Sequence, residues 1–265
     1  MSHADVNGVS LHFEEHGSGE PLVLIHGGLG AGEMFGAIMP SLSVNRRVIA
    51  VDLQAHGGTA DVDRPLRPQT MADDVAALIE HLDLPRADVM GYSLGGLVAL
   101  RTAIQHPQRV RRLVLVSIGV RRDGSHPEVV ENMDRFAPEM ADMLAQSPLY
   151  EVYSRLAPRV EDWPVLIAKT SELLKDDYDW TADVEGLETP TMLVFADADS
   201  IRPAHIVEFY GLLGGGLRDA NWDRSLRPTA RLAILPGTTH YDIYASPALA
   251  PAVIPFLDAR AADPA

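Results

Sequence analysis

Val89-Met90-Gly91-Tyr92-Ser93-Leu94-Gly95-Gly96 sets a serine between an apolar run and an amphipathic one, and limits the possible folds more than any other stretch of the 265 residues. Ala87 to Met90 is short, apolar and bounded by Pro85 and Gly91, whereas Leu94, Leu97, Val98, Leu100, Arg101 and Ile104 recur at the three-and-four spacing of a helix buried on one face. This reads as strand, sharp turn, helix. Glycines two residues before and after the serine relieve the crowding where strand and helix nearly touch, and the serine hydroxyl projects off the end of the sheet. The G-x-S-x-G pattern alone is weak, because a glycine-rich turn with an incidental serine matches it equally well. Context on both sides and further down the chain gives it weight.

The alternation of Val9, Leu11 and Phe13 with Ser10, His12 and Glu14 predicts a half-buried strand in an antiparallel edge hairpin, ended by Gly17-Ser18-Gly19. Pro21-Leu22-Val23-Leu24-Ile25 is a continuous apolar run, as a parallel strand covered on both faces requires, and His26-Gly27-Gly28-Leu29-Gly30 follows at once. A dinucleotide-binding loop starting from Gly28 and Gly30 would need its third glycine at 33. Glu33 stands there and would face the pyrophosphate, so the nucleotide reading fails. The better reading is a loop whose backbone N–H groups, Gly28 in particular, help bind a negative oxygen beside Ser93, with His26 bracing the loop. Val48 to Val51 is another buried strand, after which Asp52 and His56 are expected to order a loop. A helix is predicted from about Met71 to His81, and a strand from Leu113 to Val116.

After Ser117 the pattern changes. Residues 120–189 contain no convincing strand and several helical stripes: Met133, Phe136, Met140, Met143 and Leu144; Val152 and Leu156; Leu166, Leu173 and Leu174. We read 120–189 as an inserted helical cap on a core formed by 1–119 and 190–265. The methionine stripe should pack the cap onto the core, with some side chains forming an apolar, adaptable ceiling over a substrate. Alternation resumes at Thr191 to Phe195, followed by Ala196-Asp197-Ala198-Asp199-Ser200, a helix from Ala204 to Leu213, the strand Leu232 to Leu235, and Pro236-Gly237-Thr238-Thr239-His240. A last helix is predicted from about Pro247 to Ala259, with Ala261 to Ala265 fraying.

Composition removes several chemistries. There are no cysteines, hence no disulfide, thiolate metal site or cysteine nucleophile. The scattered histidines, among them His3, His12 and His16, have no metal-ligand spacing, and His106 and His205 are expected on helix surfaces. A net charge of −15 disfavours nucleic acid and anionic membranes, and the arginines at 109, 111, 112, 121 and 122 read as a solvated rim. No apolar run approaches the roughly 20 residues of a membrane span, and the first seven residues lack a signal peptide's pattern, which points to the cytoplasm.

A serine hydroxyl attacks acyl carbon only with a base to take its proton and a carboxylate to hold that base in the right tautomer. Ser93, an aspartate after a late strand and His240 after the last strand occur in that order. With the HG-x-x-G loop at His26 to Gly30, the order resembles the α/β-hydrolase superfamily, and most closely its cofactor-free esterase and perhydrolase (haloperoxidase-like) branch with a helical lid. The resemblance implies an α/β-hydrolase fold, a mostly parallel central sheet flanked by helices with an inserted cap. It also implies a triad of Ser93, Asp199 and His240, and an oxyanion hole from the N–H groups of Gly28 and Leu94. Ala196-Asp197-Ala198-Asp199 followed by Pro203 fits Asp199 as the acid, although Asp197, on the same side of an extended chain, competes.

Relatives with an alkyl-enzyme intermediate carry aspartate where Ser93 stands, which leaves acyl chemistry. The expected activity is hydrolysis of small to medium, largely apolar carboxylic esters or lactones through an acyl-serine, without metal or cofactor. Perhydrolysis, a lyase step or cofactor-free oxygen chemistry on the same scaffold, and a non-catalytic ligand-binding role, are the alternatives. The expected partner is a small-molecule substrate, with a homodimer left open.

Overall fold

The computed structural model describes residues 2–259, so the stretch expected to fray, 261–265, lies outside the described residues. β1 (Ser2–Val6) and β2 (Val9–His16) form an antiparallel hairpin across Asn7 and Gly8, whose φ of 48° and 81° suit a two-residue turn. The partner strand β1 is absent from the sequence reading, because Ser-His-Ala-Asp-Val carries little apolar alternation. β3 (Glu20–Ile25), β4 (Arg46–Val51), β5 (Ala87–Tyr92), β6 (Val110–Val116), β7 (Thr191–Ala198) and β8 (Arg231–Thr239) complete an eight-stranded sheet of order β1-β2-β4-β3-β5-β6-β7-β8. β2 pairs antiparallel with β4, and every pairing from β4 to β8 is parallel.

The unbroken apolar runs of the inner strands are explained by cover on both faces. Val23 and Ile25 enter one core cluster with α2 (Pro68–His81), α3 (Leu94–Gln105) and α9 (Pro203–Leu212). Leu22 and Leu24 enter the other, with α1 (Met39–Leu42) and α10 (Leu249–Leu257). Val89 and Met90, like Leu113 and Val114, divide in the same way, so each strand contributes to both layers. Helix α2 starts three residues before the predicted Met71, since the fixed φ of Pro68 suits a first helical position.

Between β6 and β7 lie α4 (Pro127–Arg135), α5 (Ala141–Leu144), α6 (Pro148–Leu156), α7 (Trp163–Lys175) and α8 (Thr181–Glu185), with no strand among the described residues. Their interior is aromatic rather than methionine-rich. Tyr153, Trp163, Leu166 and Ile167 are buried, and the Trp163 indole N–H donates to Ala141 O at 3.0 Å. Met143 is 60% exposed, so the methionine stripe does not pack as a unit. Polar ties join these helices to the rest of the fold: Lys169 Nζ donates to Asp61 Oδ2, Val62 O and Arg64 O at 2.6–2.8 Å, Arg155 pairs with Glu33, and Arg101 of α3 pairs with Asp183 of α8 at 2.9 Å.

The arginine rim is not uniformly solvated. Asp88 on β5 is fully buried and accepts from Arg111 Nε at 2.8 Å, Arg111 Nη2 at 2.6 Å and Arg46 Nη1 at 3.2 Å, while Arg112 is only 8% exposed. A buried carboxylate must be paired, and these arginines supply its counter-charge. Among the described residues no helix is long and apolar enough to cross a membrane.

Candidate active site

Ser93 occupies the turn between β5 and α3 with φ 52° and ψ −121°, a conformation that side chains rarely adopt. The flanking glycines show why it is tolerated. A Cβ on Gly91 would lie 2.1 Å from Gly95 O, and one on Gly95 would lie 2.3 Å from Ile25 O. Both neighbours are backbone and cannot rotate away. The Ser93 N–H donates to Val116 O at 3.0 Å, which ties the turn to the end of β6.

His240 follows β8. Its Nε2 is 3.2 Å from Ser93 Oγ. Tyr92, next to the serine, donates its hydroxyl to His240 O at 2.6 Å, so the same turn that presents Ser93 also holds the histidine loop. Burial, reinforced by Tyr244 and Asp199, pushes the Tyr92 hydroxyl far above its ordinary pKa and keeps it a donor. For His240 Nε2 to accept from Ser93, the ring proton must be on Nδ1. Two oxygens face that atom: Ser200 Oγ at 2.8 Å and Asp199 Oδ1 at 3.2 Å.

The Asp199 side chain is 1% exposed. Its Oδ2 accepts from Ser117 Oγ at 2.6 Å and from the Ala196 N–H at 2.9 Å. Burial works to raise its pKa, but hydrogen bonds from His240, Ser117 and Ala196 outweigh it and hold the carboxyl below the usual range. Asp197 is elsewhere. A bulge between Ala196 and Ala198 ends the regular β7–β8 pairing, and exposed Asp197 accepts from the N–H groups of Gly237 and Thr238 at 3.0 and 3.1 Å. The two carboxylates therefore do not share a side of one extended strand. Asp199 faces His240, and Asp197 braces the end of β8 leading to it.

Gly28 and Leu94 lie close together: a Cβ on Gly28 would be 3.9 Å from Leu94 Cβ. Neither N–H has a hydrogen-bond partner among the described residues, and both residues line a cavity of ≈ 320 Å³ with Ser93 and His240. Two free donors beside a serine that faces a histidine can stabilise an oxyanion. His26 sits under this loop, fully buried, with Nδ1 2.7 Å from Gly27 O and Nε2 accepting the Leu53 N–H at 3.0 Å. Both nitrogens are thus used by backbone. Burial lowers its pKa against the pull of Asp52 and the Gly27 carbonyl, as a neutral brace requires. Asp52 accepts from Gly32 N–H at 2.7 Å, Gly58 N–H at 2.8 Å and His12 Nδ1 at 2.8 Å, and so orders the loops around it.

His205 is not on the helix surface where it was expected: it is 1% exposed, and its Nε2 accepts the Val120 N–H at 3.1 Å, pinning the chain after β6. A helix stripe with histidine beside Ile206 and Phe209 contains the inward face that the sequence reading overlooked. Ser117, Ser200, Tyr92 and Arg122 stand beside these groups without a motif of their own. Arg122 is held by Leu174 O at 3.2 and 3.1 Å and Asp134 Oδ1 at 2.6 Å, and lines the cavity. Leu94, Leu97, Ile118, Leu173, Trp180 and Ile201 supply much of its apolar wall, and Met133 also faces it. Among the described residues no group of three or more His, Asp or Glu side chains is placed to hold a metal ion.

A family model described as alpha/beta hydrolase fold matches residues 20–239. The chain is 36% identical over 144 residues to a 2-hydroxymuconate semialdehyde hydrolase of Pseudomonas sp. (strain CF600), covering 51% of this chain and 49% of that one. It is 28% identical over 253 residues to a pimeloyl-[acyl-carrier protein] methyl ester esterase of Nitrosomonas europaea, covering 87% and 92%. Several curated relatives, the semialdehyde hydrolase among them, are spanned over about half their length or less, 42–49%. The crystal structure of the enol-lactonase from Burkholderia xenovorans LB400 superposes with a TM-score of 0.74 over 97% of this chain and 100% of that chain, at 22% identity, a likeness of fold.

Proposed function

Because the chain belongs to the alpha/beta hydrolase family, we propose that it is a serine hydrolase of carboxylic esters or lactones, small to medium in size and largely apolar. The observation that carries the reading is the 3.2 Å approach of Ser93 Oγ to His240 Nε2 beside two free N–H groups. His240 Nε2 takes the serine proton as Ser93 Oγ bonds to the carbonyl carbon. The N–H groups of Gly28 and Leu94 hold the oxygen that becomes negative. Collapse expels the alcohol, which leaves with the proton from His240, and water repeats the sequence on the acyl-serine. Asp199 orients His240 and stabilises the imidazolium while it is charged.

The cavity, at ≈ 320 Å³, is near the lower end of ligand pockets, which supports a compact substrate. Arg122 has its Nε and Nη2 committed to protein oxygens, leaving Nη1 without a partner among the described residues. We read Nη1 as a donor to an oxygen on the substrate away from the reacting carbonyl. The test is a panel of p-nitrophenyl esters and lactones, with and without such an oxygen, and with 2-hydroxymuconate semialdehyde included for the relative named after it. Wild type should hydrolyse members of the panel and take a fluorophosphonate on Ser93, and Ser93→Ala should lose roughly 10⁴-fold or more in kcat while keeping its fold. Near wild-type turnover by Ser93→Ala refutes the mechanism. Preference for plain alkyl chains would remove Arg122 from the substrate-binding surface.

A further inference from the structure

Asp199 is not the nearest group to the inner nitrogen of His240. Ser200 Oγ is, at 2.8 Å against 3.2 Å for Asp199 Oδ1, and the same hydroxyl donates toward Asp199 Oδ1 at 3.4 Å. We propose that Ser200 is a positioning residue for His240, accepting the Nδ1–H and passing its own hydroxyl proton as a hydrogen bond toward Asp199, so that the carboxylate acts on the imidazole partly through the serine. No proton is transferred along this path. The inference rests on the hydrolase reading of Ser93 and His240.

Both ends of the arrangement are fixed. Asp199 Oδ2 is held by Ser117 Oγ at 2.6 Å and Ala196 N–H at 2.9 Å, and Oδ1 also accepts the Ile201 N–H at 3.3 Å. The carboxylate therefore cannot swing toward Nδ1 without giving up short bonds. Ser200 is 9% exposed, and its carbonyl accepts the His126 N–H at 2.9 Å, which anchors its backbone to the chain entering α4. The Ser200 hydroxyl has one proton to give. With Nδ1 as donor, that proton is free for Asp199, and Nε2 keeps its lone pair for Ser93. The charged imidazole is a stronger donor than the neutral one, so an acceptor at 2.8 Å favours the charged form more. Asp199, Tyr92 and Tyr241 lie against His240, Asp242 Oδ1 accepts the Thr239 N–H beside it at 2.6 Å, Tyr244 packs on Tyr92, and Arg67, Arg122, Asp176, Asp177 and Tyr178 share its cavity. None of them offers Nδ1 an acceptor as near as Ser200.

The deciding experiment compares Ser200→Ala and Ser200→Thr with wild type, using the rate of Ser93 labelling by a fluorophosphonate, which needs no chosen substrate, and then the pH profile of kcat/KM on an active ester. Ser200→Ala should label about tenfold more slowly and lose about tenfold in kcat with little change in KM. Its acid limb should move to lower pH, since the imidazolium has lost its nearest acceptor, and Ser200→Thr should restore the labelling rate. Asp199→Asn should cost less in the Ser200→Ala background than in wild type, because the two groups act through one hydrogen bond. If wild type is not labelled, the hydrolase reading itself fails. If wild type is labelled and Ser200→Ala matches it in rate and pH profile, only the Ser200 assignment fails. A faster Ser200→Ala would also overturn it, as it would mean that the hydroxyl donates to Nδ1 and holds His240 in the unproductive tautomer.

Discussion

Replacing Asp199 by asparagine changes which atom can face His240, and the consequence can be worked out from the donors around it. Ser117 Oγ–H and the Ala196 N–H both point at Oδ2, at 2.6 and 2.9 Å, so the amide oxygen must take that position. The amide nitrogen is then left where Oδ1 stood, turning two N–H donors toward His240 Nδ1. Ser200, which had donated to Oδ1, loses that acceptor and turns its own hydroxyl proton to Nδ1, so the ring meets donors alone and carries its proton on Nε2, where the lone pair for Ser93 is needed. A wrong tautomer in an otherwise intact triad costs roughly 10³ to 10⁴-fold in kcat with a comparatively small change in KM. At 1.36 kcal/mol per decade this is about 4 to 5.5 kcal/mol of lost transition-state stabilisation. Asp197→Asn is the control. Its carboxylate only accepts two N–H groups at the end of β8, at 3.0 and 3.1 Å, and an amide oxygen still accepts one. Its kcat should stay within about threefold of wild type, with the difference appearing as a slightly lower melting temperature. Steady-state kinetics of both variants on one ester, each checked for folding, make the comparison. The opposite ranking refutes the assignment of Asp199, and equal large losses would mean that the strand end held by Asp197 positions His240 as strictly as Asp199 does.

Stability should fall on acidification before the carboxylates begin to protonate. His56 is fully buried, its Nδ1 lies 2.8 Å from Gln54 O, its Nε2 has no partner among the described residues, and burial, with His26 adding to it, lowers its pKa to about 3. Because the folded value is depressed, this stability is complete above the unfolded value of about 6.5 and is lost as pH falls toward about 3, where the unfolded chain holds a proton that the folded one does not. The unfolding free energy measured by urea titration should drop between pH 7 and 4, by several kcal/mol at the limit, and the slope against pH should flatten in His56→Gln. An unchanged slope in that variant refutes the account. Two glycine substitutions test the packing of the turn. Gly95→Ala puts a methyl 2.3 Å from Ile25 O and 2.4 Å from His26 O, and should cost about 3 kcal/mol or more, or prevent folding. Gly211→Ala, in α9 with nothing within 4 Å, should be neutral or add up to about 1 kcal/mol. A destabilised Gly211→Ala with an unaffected Gly95→Ala would contradict the close approach of strand and helix.

What was legible in the sequence was whatever one short stretch encodes by itself. The runs at 21–25, 48–51, 89–90 and 113–116 alternate residues between two buried faces, and burial on both faces leaves a continuous apolar signature. The Ser93 turn was legible because its glycines answer to backbone oxygens a few residues or one strand away. β1 was not, since an edge strand of polar alternation draws its stability from pairing with β2 and not from its own composition. The buried face of α9 was missed for a related reason: His205 is polar by type and core by position, and its value lies in a bond to Val120, 85 residues earlier.

The separation of Asp197 from Asp199 carries the same lesson into the site. Counted along an extended chain the two are equivalent, but a single bulge at the end of β7 turns one onto the backbone before His240 and the other toward the imidazole. That bulge depends on how β8 pairs with β7, a contact between residues some forty apart. Ser200 belongs with them. As one serine after an acid it is indistinguishable from a turn residue, and only the arrival of His240 from the following strand brings its hydroxyl to 2.8 Å from the ring. Residue types and their order were therefore enough to name the groups that can do the chemistry. Which oxygen each proton faces is decided by the crossing of β7, β8 and the chain after β6, where no local pattern of sequence reaches.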